Sequence, residues 1–404
     1  MAWGTRASGG RIIGVGAGIA AGLLATVLVV ETSGGGAAVA EADAATQAAQ
    51  QQATQEQLDR SKVVRLDTAN LDTIEAQNPA ALQKGAAGAA ANRYLGASTT
   101  SSRSWHSGAW VGGWMNGSRA TSWGTWRGTT SDVTPTFPEW DTWSDLANST
   151  WHIDTFRSFK GRLVYGLPLL PRNAKPAQLQ DVAAGDHDAT FRKIARDLKA
   201  RDRGDAVVRV GWEANGDWMP YSVTAANAQD YRDAYRRVVH VMREQAPELL
   251  FSFDVNCGTV LDGQDSRLDS LTKLYPGDDA VDLIGCSVYD WDVIGGTNEH
   301  QWESALRPAK SVGLNDIAAF ARAHGKGVAI SEWGLAAEDV DGNGDNPFFI
   351  KAMHKYFSDN ADVVVLESYF NEGSTKQGSS LWPEAPQNPK AGAEYKRLWG
   401  SSSQ

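Results

Sequence analysis

Residues 207–223 read VVRVGWEANGDWMPYSV. Val207 to Val210 have the β-branched character of a buried strand, and Asn215 and Gly216 are turn-formers. Between these two signals the chain sets one carboxylate, Glu213, flanked by Trp212 and Trp218. A second stretch, Ala329 to Gly334, reads AISEWG and repeats the pattern: an apolar run that ends in Glu332 beside Trp333. Working outward, short apolar runs occur at Ala109–Trp114, Ser131–Phe137, Arg162–Leu169, Ala206–Trp212, Leu249–Asn256, Val281–Tyr289, Gly327–Glu332 and Val363–Phe370. Amphipathic helical stretches such as Ala189–Arg201, Ala228–Gln245 and Leu314–His324 lie between them. Eight strands alternating with helices predict an α/β fold, the (β/α)8 TIM barrel. The competing doubly wound open sheet needs a glycine-rich phosphate loop after its first strand. Gly108 to Gly113 has neither the dinucleotide nor the P-loop spacing.

In such a barrel the site lies at the C-terminal ends of the strands. Glu213 ends the fourth run and Glu332 the seventh. Period-two alternation places Arg209, Gly211 and Glu213 on one face, and likewise Ser252, Asp254 and Asn256. The same rule groups Gly285, Ser287 and Tyr289, and then Val328, Ile330 and Glu332. These faces are predicted to point inward, with apolar residues beneath Glu332 and Arg209 beneath Glu213. Asp254 and Glu367 are also inward by parity. A buried arginine needs a partner, so they read as neutralising Arg209 or orienting its neighbours rather than as catalysts.

Two glutamates facing one cavity among indoles suit glycoside hydrolysis, in which a neutral carboxyl protonates the leaving oxygen and an ionised one attacks or activates water. Glu213, desolvated between Trp212 and Trp218, suits the acid. Glu332, held ionised by Tyr289 and Arg209, suits the nucleophile. Trp212, Asn215, Trp218, Tyr221, Tyr289, Trp291, Trp333 and Trp382 are assigned to substrate binding, with Arg209 and Asn256 in support. For Asn215 a turn-forming role ahead of Gly216 is the other reading.

The motifs resemble glycoside hydrolase family 26, in the clan of barrel glycosidases with the acid/base after strand four and the nucleophile after strand seven. That family's glutamate followed by x-Asn-Gly-x-Trp is similar to Glu213, Asn215, Gly216 and Trp218. Its nucleophile motif is similar to Glu332, Trp333 and Gly334, and its strand-six tyrosine to Tyr289, with Trp291 beyond it as a sugar platform. Gly344 to Ile350 is similar to the loop before the family's seventh helix. The resemblance, which spans Trp105 to Trp399, implies a retaining hydrolase of a β-linked polysaccharide, endo-β-1,4-mannanase-like and without a cofactor. Mannan-cleaving members have histidine where this chain has Trp212, so xylan, mixed-linkage glucan or a bacterial exopolysaccharide stand beside mannan as candidate substrates. A non-catalytic carbohydrate-binding barrel and an envelope-polysaccharide transglycosylase are the alternatives in other classes.

Composition agrees with a carbohydrate ligand. The 16 tryptophans outnumber 11 phenylalanines and 10 tyrosines, and eight of them fall between Trp105 and Trp151. A net charge of −10 without a basic stripe argues against nucleic acid. Arg6 and Arg11 precede an uncharged, mostly apolar run from Ile12 to Val30, with Ala38-Val39-Ala40 as a small-residue cleavage site. Gly14, Gly18 and Gly22 within that run have the spacing of membrane helix packing. Residues 1–40 therefore read as a signal peptide or membrane anchor, 41–104 as an Ala/Gln-rich linker and 105–400 as the catalytic barrel. The product is expected to be secreted, or tethered through residues 12–30 to the outer face of a membrane. Cys257 and Cys286 lie on neighbouring strands, and their pairing is left open. The histidines form no i,i+4 cluster, and no metal site is predicted. Asp339 to Gly344 fits half of a calcium loop, but Ile350 stands where the bidentate glutamate would be.

Overall fold

The computed structural model describes residues 83–96, 103–112, 116–291, 295–373, 377–383 and 386–400. The chain divides into two units, Met1–Arg60 and Ser61–Gln404, and every described residue belongs to the second. The expected signal or anchor over residues 1–40 lies outside the described residues, as do most of the linker and Trp114. No helix among the described residues is long and apolar enough to cross a membrane.

Eight parallel strands close into a barrel in sequence order, the (β/α)8 arrangement. They are β1 (His106–Trp110), β2 (Val133–Thr136), β3 (Arg162–Leu167), β4 (Val207–Val210), β5 (Leu250–Asn256), β6 (Leu283–Tyr289), β7 (Gly327–Gly334) and β8 (Val364–Phe370). The helix Ala228–Gln245 has the predicted bounds. Outward-facing residues such as Val208, Val210, Phe251, Phe253, Ile284 and Val328 join the helices in one large apolar core. A smaller cluster fills the floor: Val133, Val164, Val207, Leu283, Ala329, Val365 and Leu366. Above it the inward positions turn polar, with Arg209, Ser252, Asp254 and Ser287 all buried.

Three features depart from the sequence reading. First, β1 begins three residues earlier than expected and stops at Trp110. Its polar start hid it, because both side chains are satisfied locally: His106 Nε2 hydrogen-bonds with the Gly96 carbonyl at 2.8 Å, and Ser107 Oγ accepts from Arg127 at 2.6 Å. Gly108 is required here, since a Cβ would lie 1.7 Å from the Val133 carbonyl oxygen on β2.

Second, part of the expected linker belongs to the barrel. The helix Ala89–Tyr94 covers the floor, where Ala90 joins the inner apolar cluster and Tyr94 and Leu95 pack against it. The Gly88 N–H donates to the Ala361 carbonyl at 2.6 Å and the Ala90 N–H to that of Asp362 at 3.1 Å. An open barrel end would leave those floor residues wetted, and a helix of small residues is what fits there.

Third, strict alternation fails in β7 and β8. From Val328 to Glu332 there are four steps on β7 against three from Ile284 to Ser287 on β6. Ile330 to Trp333 is likewise three steps against two from Glu367 to Tyr369 on β8. One extra residue in β7 therefore falls between Ile330 and Glu332, a bulge that re-aims the strand. Val328 and Ile330 face the helices, and Ala329 lies in the barrel floor. The expectation that Val328 and Ile330 lie beneath Glu332 is thus corrected. A second register shift, between Val364 and Leu366, turns Glu367 outward. Its carboxylate accepts from the indoles of Trp333 at 2.7 Å and Trp399 at 2.8 Å, and makes no pair with Arg209.

Cys257 and Cys286 form a disulfide with their Cα atoms 5.6 Å apart, buried on the helix side of β5 and β6.

Candidate active site

At the C-terminal mouth, β4 ends at Val210, and Glu213 is set by the turn that follows. Gly211 has φ +50° and Glu213 φ +60°, both left-handed. For a glutamate that conformation costs roughly 1–3 kcal/mol and persists only where its surroundings impose it. Here the Glu213 N–H donates to the Asp254 carbonyl at 2.9 Å, and the Glu213 carbonyl accepts from Gly216 at 3.0 Å. Oε2 accepts from the Trp218 indole N–H at 2.8 Å, and Oε1 from Asn256 Nδ2 at 2.9 Å. Thr259 Oγ1 donates to Asn256 Oδ1 at 2.6 Å and so orients that amide. Burial, and then the charge of Glu332, raise the Glu213 pKa; Arg209, Ser287 and Asn256 oppose them.

Glu332 has different partners. Tyr289 donates its hydroxyl to Oε1 at 2.7 Å, and Arg209 Nη1 donates to Oε2 at 2.6 Å. Arg209 is 1% exposed and also donates through Nε to Asp254 and through Nη2 to Ser287 Oγ at 2.6 Å. Burial works against the charge on Arg209, but Glu332, Asp254 and Glu213 together raise its pKa further, so the guanidinium stays a cation. Burial and Glu332 raise the Tyr289 phenol well above its ordinary value, which keeps it a donor. Replacing Arg209 by Met is expected to destabilise the fold by about 3–5 kcal/mol, because Asp254 and Glu332 would share the mouth without a counter-charge. Urea unfolding checks this, and a loss below about 1 kcal/mol, the level of an exposed ion pair, would contradict it.

Around the two carboxylates stand aromatic walls. Trp212 is nearly buried and meets Phe137, Trp140 and Tyr221 at centroid distances of 5.5, 6.1 and 6.1 Å, with Arg209 over its ring at 5.6 Å. Trp140 carries the exposed Arg172 on its face at 4.8 Å. Across the mouth, Trp110 stacks on Phe370 at 4.3 Å, and Phe370 meets Tyr289 edge-on at 6.2 Å. Trp291 lies 6.3 Å from Tyr289. Trp382 is half-buried and held through its backbone by Asn371.

Three residues assigned to substrate from sequence are placed otherwise. Tyr221 and Trp333 are fully buried in the core. Tyr221 packs behind Trp212, and Trp333, next in line after the inward Glu332, faces the helices and donates to Glu367. The Asn215 side chain is committed to β5 and its loop. Nδ2 donates to the carbonyls of Asn256 and Thr259 at 2.9 and 3.1 Å, and Oδ1 accepts from the Asn256 N–H at 2.8 Å. Conversely, Trp110, Phe137, Trp140 and Phe370 were not singled out. Phe370 had a readable signal, as the last residue of a strand whose partner is β1. In the half calcium loop, Asn343 Nδ2 donates to the buried Asp290 carboxylate at 2.9 Å. Among the described residues no three His, Cys, Asp or Glu gather in a way that could hold a metal.

A closed (β/α)8 barrel with paired glutamates at the mouth after β4 and on β7 defines the class of architecture. Residues 180–327 match the model of glycosyl hydrolase family 26. The match includes Glu213 and Tyr289 and ends at the first residue of β7. The chain is 26% identical over 303 residues to Endoglucanase H of Acetivibrio thermocellus, covering 73% of this chain and 30% of that protein. It is 26% identical over 217 residues to a mannan endo-1,4-beta-mannosidase of Bifidobacterium adolescentis, covering 49% and 21%. A beta-1,3-xylanase of Alcaligenes sp is also 26% identical, over 155 residues, covering 38% and 28%. The chain thus spans less than a third of the length of each of these relatives. A solved structure of a Cellulomonas fimi endo-beta-1,4-mannanase double mutant is 17% identical, with a TM-score of 0.49, covering 66% of this chain and 63% of that one.

Proposed function

We propose that this chain hydrolyses a β-linked polysaccharide by double displacement. One observation carries the reading: two carboxylates share one aromatic mouth in different environments, Glu332 hydrogen-bonded by a buried cation and a phenol, and Glu213 by the neutral N–H groups of Trp218 and Asn256. Glu332 attacks the anomeric carbon as Glu213 gives its proton to the departing glycosidic oxygen. Glu213, now ionised, then takes a proton from the water that cleaves the glycosyl–Glu332 bond, so both residues end as they began. Tyr289 and Arg209 hold and aim the Glu332 carboxylate through their hydrogen bonds. Trp212, Trp218, Trp291 and Trp382 supply stacking faces.

The relatives act by name on different β-glycans, so the substrate is proposed as that class, with β-mannan one candidate among several. The Cys257–Cys286 disulfide and the apolar run at residues 12–30 support export, with or without a membrane tether. The test is reducing-end release from β-mannan, xylan, mixed-linkage and β-1,3-glucans and bacterial exopolysaccharides. One polymer should be cut by the wild type and left intact by Glu332→Ala. An unchanged rate in that variant would overturn the assignment.

A further inference from the structure

The Glu213 carboxyl has an unusual neighbour for a proton donor. Its Oε2 accepts from the indole N–H of Trp218, a residue that is 49% exposed while Glu213 is 6% exposed. Trp218 rests on bare backbone: a Cβ at Gly216 would come within 2.5 Å of the ring. The other oxygen, Oε1, faces the Asn256 amide, which Thr259 fixes from behind. These two donors are not equivalent when Glu213 is neutral. An Oε1 carbonyl still accepts from Asn256, but an Oε2 hydroxyl is a poorer acceptor for the indole N–H and must turn its own proton away from it. The Trp218 contact therefore favours the ionised carboxylate, and it occupies the oxygen left for protonating a leaving group.

We propose that Trp218 is a positioning residue that caps Glu213 in the free protein and is displaced when a sugar enters the leaving-group side of the cleft. The inference rests on Glu213 acting as the acid. With the ring moved aside, Oε2 takes a proton from solvent. It passes that proton to the glycosidic oxygen as the C–O bond breaks, the bonding pair staying on that oxygen. Substrate arrival thereby arms the acid.

Other charged and titratable groups also face Glu213: Glu332 from β7, Arg209 from β4, Tyr289 from β6 and Tyr221 from the loop after β4. The cap must be separable from all of them. Trp218→Phe keeps an aromatic face and removes only the N–H. Losing a donor that favours the ionised form raises the Glu213 pKa, so the acid stays protonated to higher pH. The alkaline limb of kcat/KM, which reports the free protein, should move up by about one pH unit, the size of one hydrogen bond to a charged group. The alkaline limb of kcat, which reports the complex, should stay where it is, because the cap is already off there. Equal movement of both limbs, or of neither, would overturn the proposal.

A substrate-free readout runs beside it. The Trp218 indole signal in 15N–1H spectra, assigned by its absence from Trp218→Phe, should titrate with Glu213 and cease to titrate in Glu213→Gln. A signal indifferent to pH in the wild type overturns the cap. Whether Glu213 is the acid is decided separately, by whether Glu213→Ala spares glycosides with acidic leaving groups.

Discussion

Glu332→Ala should lower kcat on the polymer by about 10⁴–10⁶, the range lost when a covalent nucleophile is removed. The loss should appear without unfolding. Glu332 is at the mouth with 12% of its side chain exposed, and Arg209 keeps its salt bridge to the buried Asp254 when Glu332 is truncated. Removing the carboxylate also opens space at the anomeric carbon. Azide added to the variant with an activated aryl β-glycoside should enter there and give the α-glycosyl azide, the product of a single displacement. A β-azide from this variant, or wild-type rates, would assign the nucleophile elsewhere.

The complementary variant, Glu213→Ala, should divide substrates by leaving group. Polymer cleavage needs a protonated alcohol and should fall by about 10²–10⁴, the usual contribution of a positioned acid. An aryl glycoside whose phenol leaves unaided should keep its first step, since Tyr289 and Arg209 still hold Glu332. The second step would then lack a base, the glycosyl–Glu332 species should accumulate, and azide should intercept it as the β-glycosyl azide. Equal losses on both substrate types would remove Glu213 from the acid role. In the wild type, burial and the charge of Glu332 raise the Glu213 pKa, which carries the protonated, active form to higher pH than an exposed glutamate would allow.

Much of this molecule could be read from the chain, and what could not has identifiable causes. Strand parity put Arg209, Ser252, Asp254, Asn256, Ser287 and Tyr289 on the inner face, where the structure has them, because β4, β5 and β6 keep a period of two over those positions. It misplaced Val328, Ile330 and Glu367 because the register shifts in β7 and β8 arise from pairing with neighbouring strands, which no single strand records. The left-handed turn at Glu213 was equally hidden, since backbone contacts from β5 hold it there without a glycine at that position. Indole content suggested a cleft but could not sort cleft from core: Trp218 is exposed, whereas Trp123, Trp333 and Trp399 are fully buried. The helix Ala89–Tyr94 looked like linker because small residues carry little apolar signal, although Ala90 joins the floor cluster and Tyr94 packs against it.

The bulge in β7 has a bearing on how this barrel tolerates change. Ser331 is buried and its hydroxyl has no hydrogen-bond partner, so what the site takes from that position is one more link of backbone. Chain length is held more strictly there than side-chain identity. Alanine at 331 would leave Glu332 aimed into the cleft, whereas forcing regular alternation with the residue retained would turn the carboxylate toward the helices, and deleting the residue would keep it inward but one place lower in the barrel. Anyone grafting this mouth onto another barrel must therefore transplant a count as well as a set of residues.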